Sequence, residues 1–250
     1  MPDSTHGEAG LTRQMRDGVL WLAFDRARAS NAIDAALSQE FATALAQAAT
    51  DAMVVAVVMT GTGDRVFSAG IDIRNPGALE HEALATLRRE TVARCLGAIV
   101  EFAKPLVAAV NGPAVGLGCM LALLADHAVA AENAAYSLPE INIGIPTFLG
   151  AAIVTRAAGT ALARELVLTG RRMDAAEARR HNLIGSIVRA DELAAAAQHA
   201  AQTLAAKPQA AYALDKRWFN RGLREEFEAA NAASQAAQPQ LAADHTRQRH

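Results

Sequence analysis

Two continuous apolar segments constrain the fold of this chain more than any other feature of its sequence. The first, Met53 to Met59, is rich in valine and is followed by Gly61; the second, Leu106 to Val110, is followed by Gly112. A short apolar run without alternation predicts a strand that is buried on both faces. Each strand is followed by a glycine-bearing turn and then by a helical pattern, and this alternation predicts an α/β fold.

Other elements follow from shorter patterns. Apolar residues recur at helical spacing at Leu37, Phe41 and Leu45, and Asp174 with Glu177 forms a capping-box pattern for a helix start. Further apolar runs predict strands at 19–24 and 128–131 and a helix at 119–125, whereas residues from 191 onward predict a helical tail interrupted at Pro208. We therefore predict a core of residues 10–190 and a helical C-terminal region of residues 191–250, to which the family resemblance described below assigns oligomerisation.

Composition excludes several classes of function. The chain has 250 residues, of which 52% are hydrophobic, and a formal net charge of -2, so it can bury a large core but has no basic excess for binding nucleic acid. It lacks a signal-peptide pattern and an apolar run of about 20 residues, which predicts no membrane span and a cytoplasmic location. The two cysteines, Cys95 and Cys119, and the seven histidines have no metal-binding spacing, so we predict no metal site.

Two turns carry the chemistry that the sequence offers. In the turn from Phe67 to Asp72, Gly70 allows the backbone to come close to a ligand. The turn from Asn111 to Gly118 opens onto an apolar helix, where free N–H groups and the positive end of the helix dipole suit an anion or a transient oxyanion. Taken singly, the first turn is more simply an ordinary β–α turn in which Asp72 caps the next helix, and the second could equally be a tight packing turn. No lysine follows Gly118, so the second turn is not a P-loop.

Together, these segments resemble the crotonase (enoyl-CoA hydratase/isomerase) superfamily over about residues 12 to 220. The resemblance rests on the order of a valine-rich strand, FSAGID, KPLVAAVNG, GLGC and PEINIGI. Near the start, Arg26 and Asn31 match a family pattern, although Ala27 replaces its proline. The resemblance implies a superhelix of ββα units with a helical C-terminal region. It also implies an acyl-CoA substrate, no cofactor apart from the coenzyme A of that substrate, and a homotrimer or hexamer.

The resemblance assigns the reacting groups to four positions. The oxyanion hole corresponds to the backbone N–H groups of Ile71 and Leu117, although the family usually has glycine at the second position. Of the family's two hydratase glutamates, Glu140 is present and Met120 replaces the other. Hydration most naturally needs two acid/base groups, whereas one base can move a double bond through a dienolate. We therefore expect an enoyl-CoA double-bond isomerase with Glu140 as its base.

Several alternatives stay open. A hydratase, or another lyase or hydrolase of the superfamily, could use one glutamate, and an inactive acyl-CoA-binding protein is the rival of a different class. Glu140 could also be a salt-bridged surface residue. The acyl pocket is predicted at Met120, Leu84, Leu87 and Phe148, and the CoA contacts at Arg26, Ala69, Asp72 and Lys216. For each basic residue the alternative is a solvated surface charge.

Overall fold

The computed structural model describes the backbone of residues 10–72 and 81–248. The strands within these ranges are β1 (Leu11–Arg16), β2 (Val19–Phe24), β3 (Ala56–Gly61), β4 (Leu106–Val110), β5 (Ala114–Val115), β6 (His127–Ala131), β7 (Ala135–Ser137), β8 (Arg172–Asp174) and β9 (Ser186–Val188). The helices are α1 (Ala35–Thr50), α2 (His81–Glu101), α3 (Leu117–Leu124), α4 (Phe148–Ala158), α5 (Thr160–Thr169), α6 (Ala175–Arg180), α7 (Leu193–Ala205), α8 (Gln209–Asn220) and α9 (Leu223–Gln248). Short 3-10 helices span Ala27–Ala29 and Pro139–Ile143.

A six-stranded sheet in the order β1-β2-β3-β4-β6-β9 forms the centre of the fold. Strands β1 and β2 form an antiparallel hairpin, whose turn residues Asp17 and Gly18 both have positive φ, as a tight turn between twisted strands requires. The remaining neighbours pair in parallel. A smaller sheet, β5-β7-β8, lies beside it. This arrangement confirms the predicted α/β class.

Helices cover both faces of the large sheet. On one face, α1, α2 and α3 contribute to the main apolar cluster, together with side chains such as Phe24, Met59 and Val110. On the other face, Val58, Val107 and other strand residues pack against α7. Because the central strands are buried on both sides, their sequences are apolar throughout rather than alternating.

Local signals set most element boundaries, and the cap at Asp174 is the one predicted from the sequence. The side chain of Asp34 caps α1 and that of Asp174 caps α6, each accepting a hydrogen bond from a backbone N–H three residues later. Strand β3, however, begins at Ala56 rather than at Met53. The side chain of Asp51 accepts a hydrogen bond from the Met53 N–H, which forms a turn after α1 and leaves Met53 exposed.

The C-terminal region is helical, and α8 begins directly after Pro208, as expected. Helix α7 packs on the sheet, whereas α9 packs against α4 and α2. The division of the chain at residue 190 stays a prediction. None of the described helices is both long and apolar enough to cross a membrane.

Candidate active site

A cavity of about 660 Å³ lies where the two glycine-bearing turns meet helices from distant parts of the chain. Its walls come from the turn at 69–71, the turn at 115–117, the first half of α2, the segment 139–149 and the middle of α9. The cavity therefore brings the predicted turns, Met120 and Glu140 into one site.

The two turns touch each other, and glycine permits the contact. Gly70 has a φ of +85, and a Cβ on it would lie 2.7 Å from the carbonyl oxygen of Val115 and 3.3 Å from the nitrogen of Leu117. No side chain fits there without moving the backbone. The buried hydroxyl of Ser68 holds the first turn, since it accepts a hydrogen bond from the Gly70 N–H and donates one to Asn31 O.

Two backbone N–H groups at this junction have no partner within the described part of the chain. Around Ile71, the carbonyl of Gly70 accepts from Ile33 and the N–H of Asp72 donates to Ile33, but the Ile71 N–H makes no such bond. Leu117 is the first residue of α3, where a helix leaves its N–H groups unpaired. Both residues line the cavity. Two free donors and a helix N-terminus therefore meet beside the same space.

Glu140 brings a carboxyl group into the cavity wall from the 3-10 helix that begins at Pro139. Its Oε2 is shielded from solvent and has no hydrogen-bond partner among the described residues. Burial raises the pKa of Glu140 above its ordinary value, although hydrogen bonds, including one from Thr147, partly oppose the shift. A carboxylate in this setting is a stronger base than one in water.

Met120 occupies α3, is only 5% exposed and lines the same cavity. Within the described ranges, Glu140 is the only acidic residue among the lining side chains. The cavity thus pairs one carboxyl group with a thioether that cannot transfer a proton.

Three of the four predicted acyl-pocket residues line the cavity, and the fourth does not. Leu84, Phe148 and Met120 line the cavity. Leu87 does not, and the structure corrects this position, because α2 presents the stripe of Leu84, Ala85, Arg88, Arg89 and Val92 to the cavity. Positions four residues apart share a helical face, and Leu87 falls off that face.

The predicted CoA contacts at the first turn also divide. Ala69 lines the cavity, but Arg26 and Asp72 do not. The guanidinium of Arg26 lies 3.1 Å from Asp34 and 3.0 Å from Asp72, and it donates a hydrogen bond to Ala32 O. Arg26 therefore holds the loop that carries the first turn, a role in positioning rather than an open cationic site.

Lys216 does not line the cavity but forms a structural ion pair, and its predicted CoA contact stays a prediction. Its side chain is buried, and Nζ lies 2.7 Å from Asp126 Oδ2 and 2.9 Å from Lys104 O. Asp126 also accepts a hydrogen bond from the N–H of Leu106. The ion pair thus fastens α8 to the start of β4.

Sequence reasoning missed several residues of the cavity. Arg88 and Arg89 lie on the same stripe of α2 as Leu84, a spacing visible in the sequence. Thr147 lies beside Glu140. The residues of α9, including Asn231 and Ser234, come from about 90 residues further along the chain, and no local pattern indicates where α9 packs.

Comparisons with known proteins identify the family. The sequence profile of the family described as "Enoyl-CoA hydratase/isomerase" matches residues 14–249. A probable enoyl-CoA hydratase of Rhizobium meliloti is 38% identical over 214 residues, covering 84% of this chain and 80% of the relative. The 2,3-dehydroadipyl-CoA hydratase of Escherichia coli is 38% identical over 182 residues, covering 72% of this chain and 69% of the relative.

Solved structures give the same result for the fold. The crystal structure of an enoyl-CoA hydratase from Mycobacterium avium subsp. paratuberculosis superposes with a TM-score of 0.81 at 30% identity, covering 94% of this chain and 91% of the other. That of an enoyl-CoA hydratase from Bacillus anthracis gives a TM-score of 0.81 at 26% identity, covering 91% and 90%. The chain therefore belongs to the enoyl-CoA hydratase/isomerase (crotonase) family, has the crotonase fold, and is an enzyme of that family.

Proposed function

We propose that this enzyme is an enoyl-CoA double-bond isomerase in which Glu140 is the only acid/base residue. The observation that carries the proposal is the lining of the cavity, where Glu140 is the single acidic side chain among the described residues and Met120 is its apolar companion. Shifting a double bond requires a proton to leave one carbon and return to another, which one carboxylate can do.

The reaction divides into two proton transfers. The carboxylate of Glu140 removes a proton from C2 of a 3-enoyl thioester, and the electron pair of the C–H bond moves toward the thioester oxygen. The resulting dienolate carries its negative charge on that oxygen and on carbon. The protonated Glu140 then returns the proton to C4, the double bond settles between C2 and C3, and the carboxylate is regenerated.

The free N–H groups of Ile71 and Leu117 support the charge that develops in the first step. In this proposal both donate hydrogen bonds to the thioester oxygen as it becomes an enolate. A donor of this kind stabilises a transition state by about 2.7–4 kcal/mol in measured enzymes. The raised pKa of Glu140 assists further, because it narrows the difference in pKa between the carboxyl group and the weakly acidic C2–H of the substrate.

Coenzyme A enters this proposal only as part of the substrate, and the reaction needs no separate cofactor. The thioester lies at the junction of the turns and the acyl chain lies along Leu84, Met120 and Phe148, which line the cavity. Ala69 faces the outgoing CoA arm. The net change is an internal rearrangement, so no oxidant, reductant or co-substrate takes part.

Hydration is the second candidate, because the relatives of Rhizobium meliloti and Escherichia coli are both named as hydratases. With Glu140 alone, the same carboxyl group would have to activate water at C3 and supply the proton at C2. An inactive acyl-CoA-binding protein is the third candidate, and it predicts neither isomerisation nor proton exchange.

Incubation with hex-3-enoyl-CoA and hex-2-enoyl-CoA in deuterated solvent, with product identification, separates the three candidates. An isomerase interconverts the two and introduces deuterium, a hydratase forms the 3-hydroxyacyl thioester from the 2-enoyl compound, and a binding protein does neither. Predominant hydration would reject the proposal.

The Glu140→Gln variant tests the base itself. It keeps the size of the side chain and should lower turnover by about 10²–10⁴-fold, with a parallel loss of deuterium exchange. The matched control is Glu132→Gln, a change at an exposed glutamate outside the cavity, which should leave both rates unchanged. Full activity and full exchange in Glu140→Gln would exclude Glu140 as the base.

A further inference from the structure

Two arginine side chains enter the acyl cavity without a counter-ion among the described residues. Arg88 and Arg89 line it from α2, on the stripe that also presents Leu84 and Val92. Nε of Arg88 and one terminal nitrogen of Arg89 are shielded from solvent, and neither has a hydrogen-bond partner in the described part of the chain. The other terminal nitrogen of Arg89 donates a hydrogen bond to the hydroxyl of Thr86 on the same helix.

The surroundings make these charges costly. Desolvation lowers the pKa of Arg88, and no neighbouring carboxylate offsets that effect within the described ranges. A guanidinium nevertheless stays protonated at neutral pH. A charged group that is partly removed from water without a partner destabilises the free protein. Such a group is retained at a cost to stability, and a ligand anion is the simplest partner that would offset the cost.

We propose that the acyl group of the substrate ends in a carboxylate and that Arg88 and Arg89 bind this carboxylate. The inference rests on the proposed function, because it places the acyl chain in the same cavity as Glu140. The planar guanidinium donates paired hydrogen bonds to a carboxylate, and such charge-assisted bonds are the strongest of their kind. The polar side chains of Asn231, Ser234 and Gln238 on α9 also line the cavity and suit a carboxylate better than a methyl terminus.

A phosphate of the CoA moiety is the other anion that the substrate carries. The position of the arginines favours the acyl carboxylate. Arg88 lies four residues after Leu84 and four before Val92, so all three project from one face of α2 into the cavity. The cation therefore lies within the row of side chains that contacts the acyl chain.

Binding of two saturated thioesters tests the proposal without relying on catalysis. Hexanoyl-CoA and adipoyl-CoA share their CoA moiety and chain length and differ only in the terminal carboxylate. Titration calorimetry with the full-length protein should give a dissociation constant about 10- to 100-fold lower for adipoyl-CoA. In Arg88→Met/Arg89→Met this preference should disappear, with hexanoyl-CoA binding changed by less than about twofold.

The matched control is Arg164→Met, which removes an exposed arginine from α5, outside the cavity, and should keep the preference. The unliganded double variant should also melt at a higher temperature than the parent, because two partly desolvated cations are removed; this readout confirms that the variant folds. The variant Arg88→Lys/Arg89→Lys, which keeps both charges, should retain part of the preference.

Two results would overturn the proposal. Equal binding of the two thioesters by the parent protein would show that the cavity does not recognise a terminal carboxylate. If the double methionine variant lost affinity for both thioesters equally, the arginines would be assigned to the CoA phosphates. Neither result bears on the isomerase assignment, because saturated thioesters cannot isomerise, and that assignment fails only through the enoyl-CoA products and the exchange of the C2 proton.

Discussion

The backbone of Gly116 lies directly against the carboxyl group of Glu140. A Cβ added to Gly116 would lie 2.9 Å from Oε1 of Glu140, and Gly116 has φ 54 and ψ -120, a conformation that only glycine adopts readily. The same residue precedes Leu117 and donates its own N–H to Ser137 O. One glycine therefore sets both the approach of the carboxyl group and the direction of the N–H at the start of α3.

Gly116→Ala should therefore impair stability and turnover together. The unfavourable backbone conformation costs about 1–3 kcal/mol, and the new methyl group displaces Glu140. We expect a lower melting temperature and a fall in the rate of C2 proton exchange. The control is Gly97→Ala in α2, where an added Cβ meets nothing within 4 Å and φ is not positive. That change should stabilise the helix by about 0.5–1 kcal/mol, and equal effects of both changes would contradict the argument.

The raised pKa of Glu140 gives a prediction for stability against pH. Because burial favours the protonated form in the folded state, its stabilising contribution is complete below the unfolded pKa of about 4.3. The contribution is lost as the pH rises through the folded pKa. Glu140→Gln, which stays neutral, should melt at a higher temperature than the parent protein at pH 7, and the difference should vanish below about pH 4. A difference that is constant over this pH range would contradict the buried-carboxyl explanation.

A second carboxyl group should change the reaction. Met120 and Glu140 line the same cavity, so Met120→Glu should place a second acid/base group near the substrate. We expect hydration of hex-2-enoyl-CoA to appear or increase, and the gain to be limited by like-charge repulsion that raises the pKa of both carboxyl groups further. Met120→Gln is the control, since it has similar size but no titrating group. Equal hydration by both variants would show that the added carboxyl group takes no part.

The strands and the turns can be predicted from the sequence because they depend on local pattern, whereas the choice of Glu140 comes from the family resemblance. A continuous apolar run specifies the buried strand β4. Gly70 marks a point where the backbone comes too close to another segment for a side chain to fit, and a glycine at such a turn is visible in the sequence. The two turns are expected to serve one site, and they do touch in the fold. That expectation comes from the order of the segments and their resemblance to a family, since periodicity alone leaves each turn ambiguous.

The sequence leaves side-chain direction and distant packing undecided. Leu87 and Leu84 are three residues apart on one helix, but only the helix rotation decides which of them faces the cavity. The sequence offers Lys216 as a cation for CoA, and only the approach of α8 to β4 brings Asp126 to it. Arg88 is visible in the sequence, yet the lack of a partner for its Nε among the described residues depends on every element around the cavity.

Assembly is the last prediction, and it rests on α8. The side chains of Leu214, Trp218 and Phe219 are 60%, 64% and 71% exposed. Leu214 and Trp218 are four residues apart and share one side of the helix, and Phe219 lies further round it. Large exposed apolar and aromatic groups of this kind are typical of interfaces between subunits. We expect a trimer or hexamer in sedimentation velocity at micromolar concentration. Trp218→Glu/Phe219→Glu should shift it toward the monomer, whereas Ala46→Glu/Ala49→Glu, which adds the same two charges at exposed positions of α1, should not. If the unaltered protein sedimented as a monomer, these exposed side chains would not form an interface between copies, and the predicted assembly would be rejected.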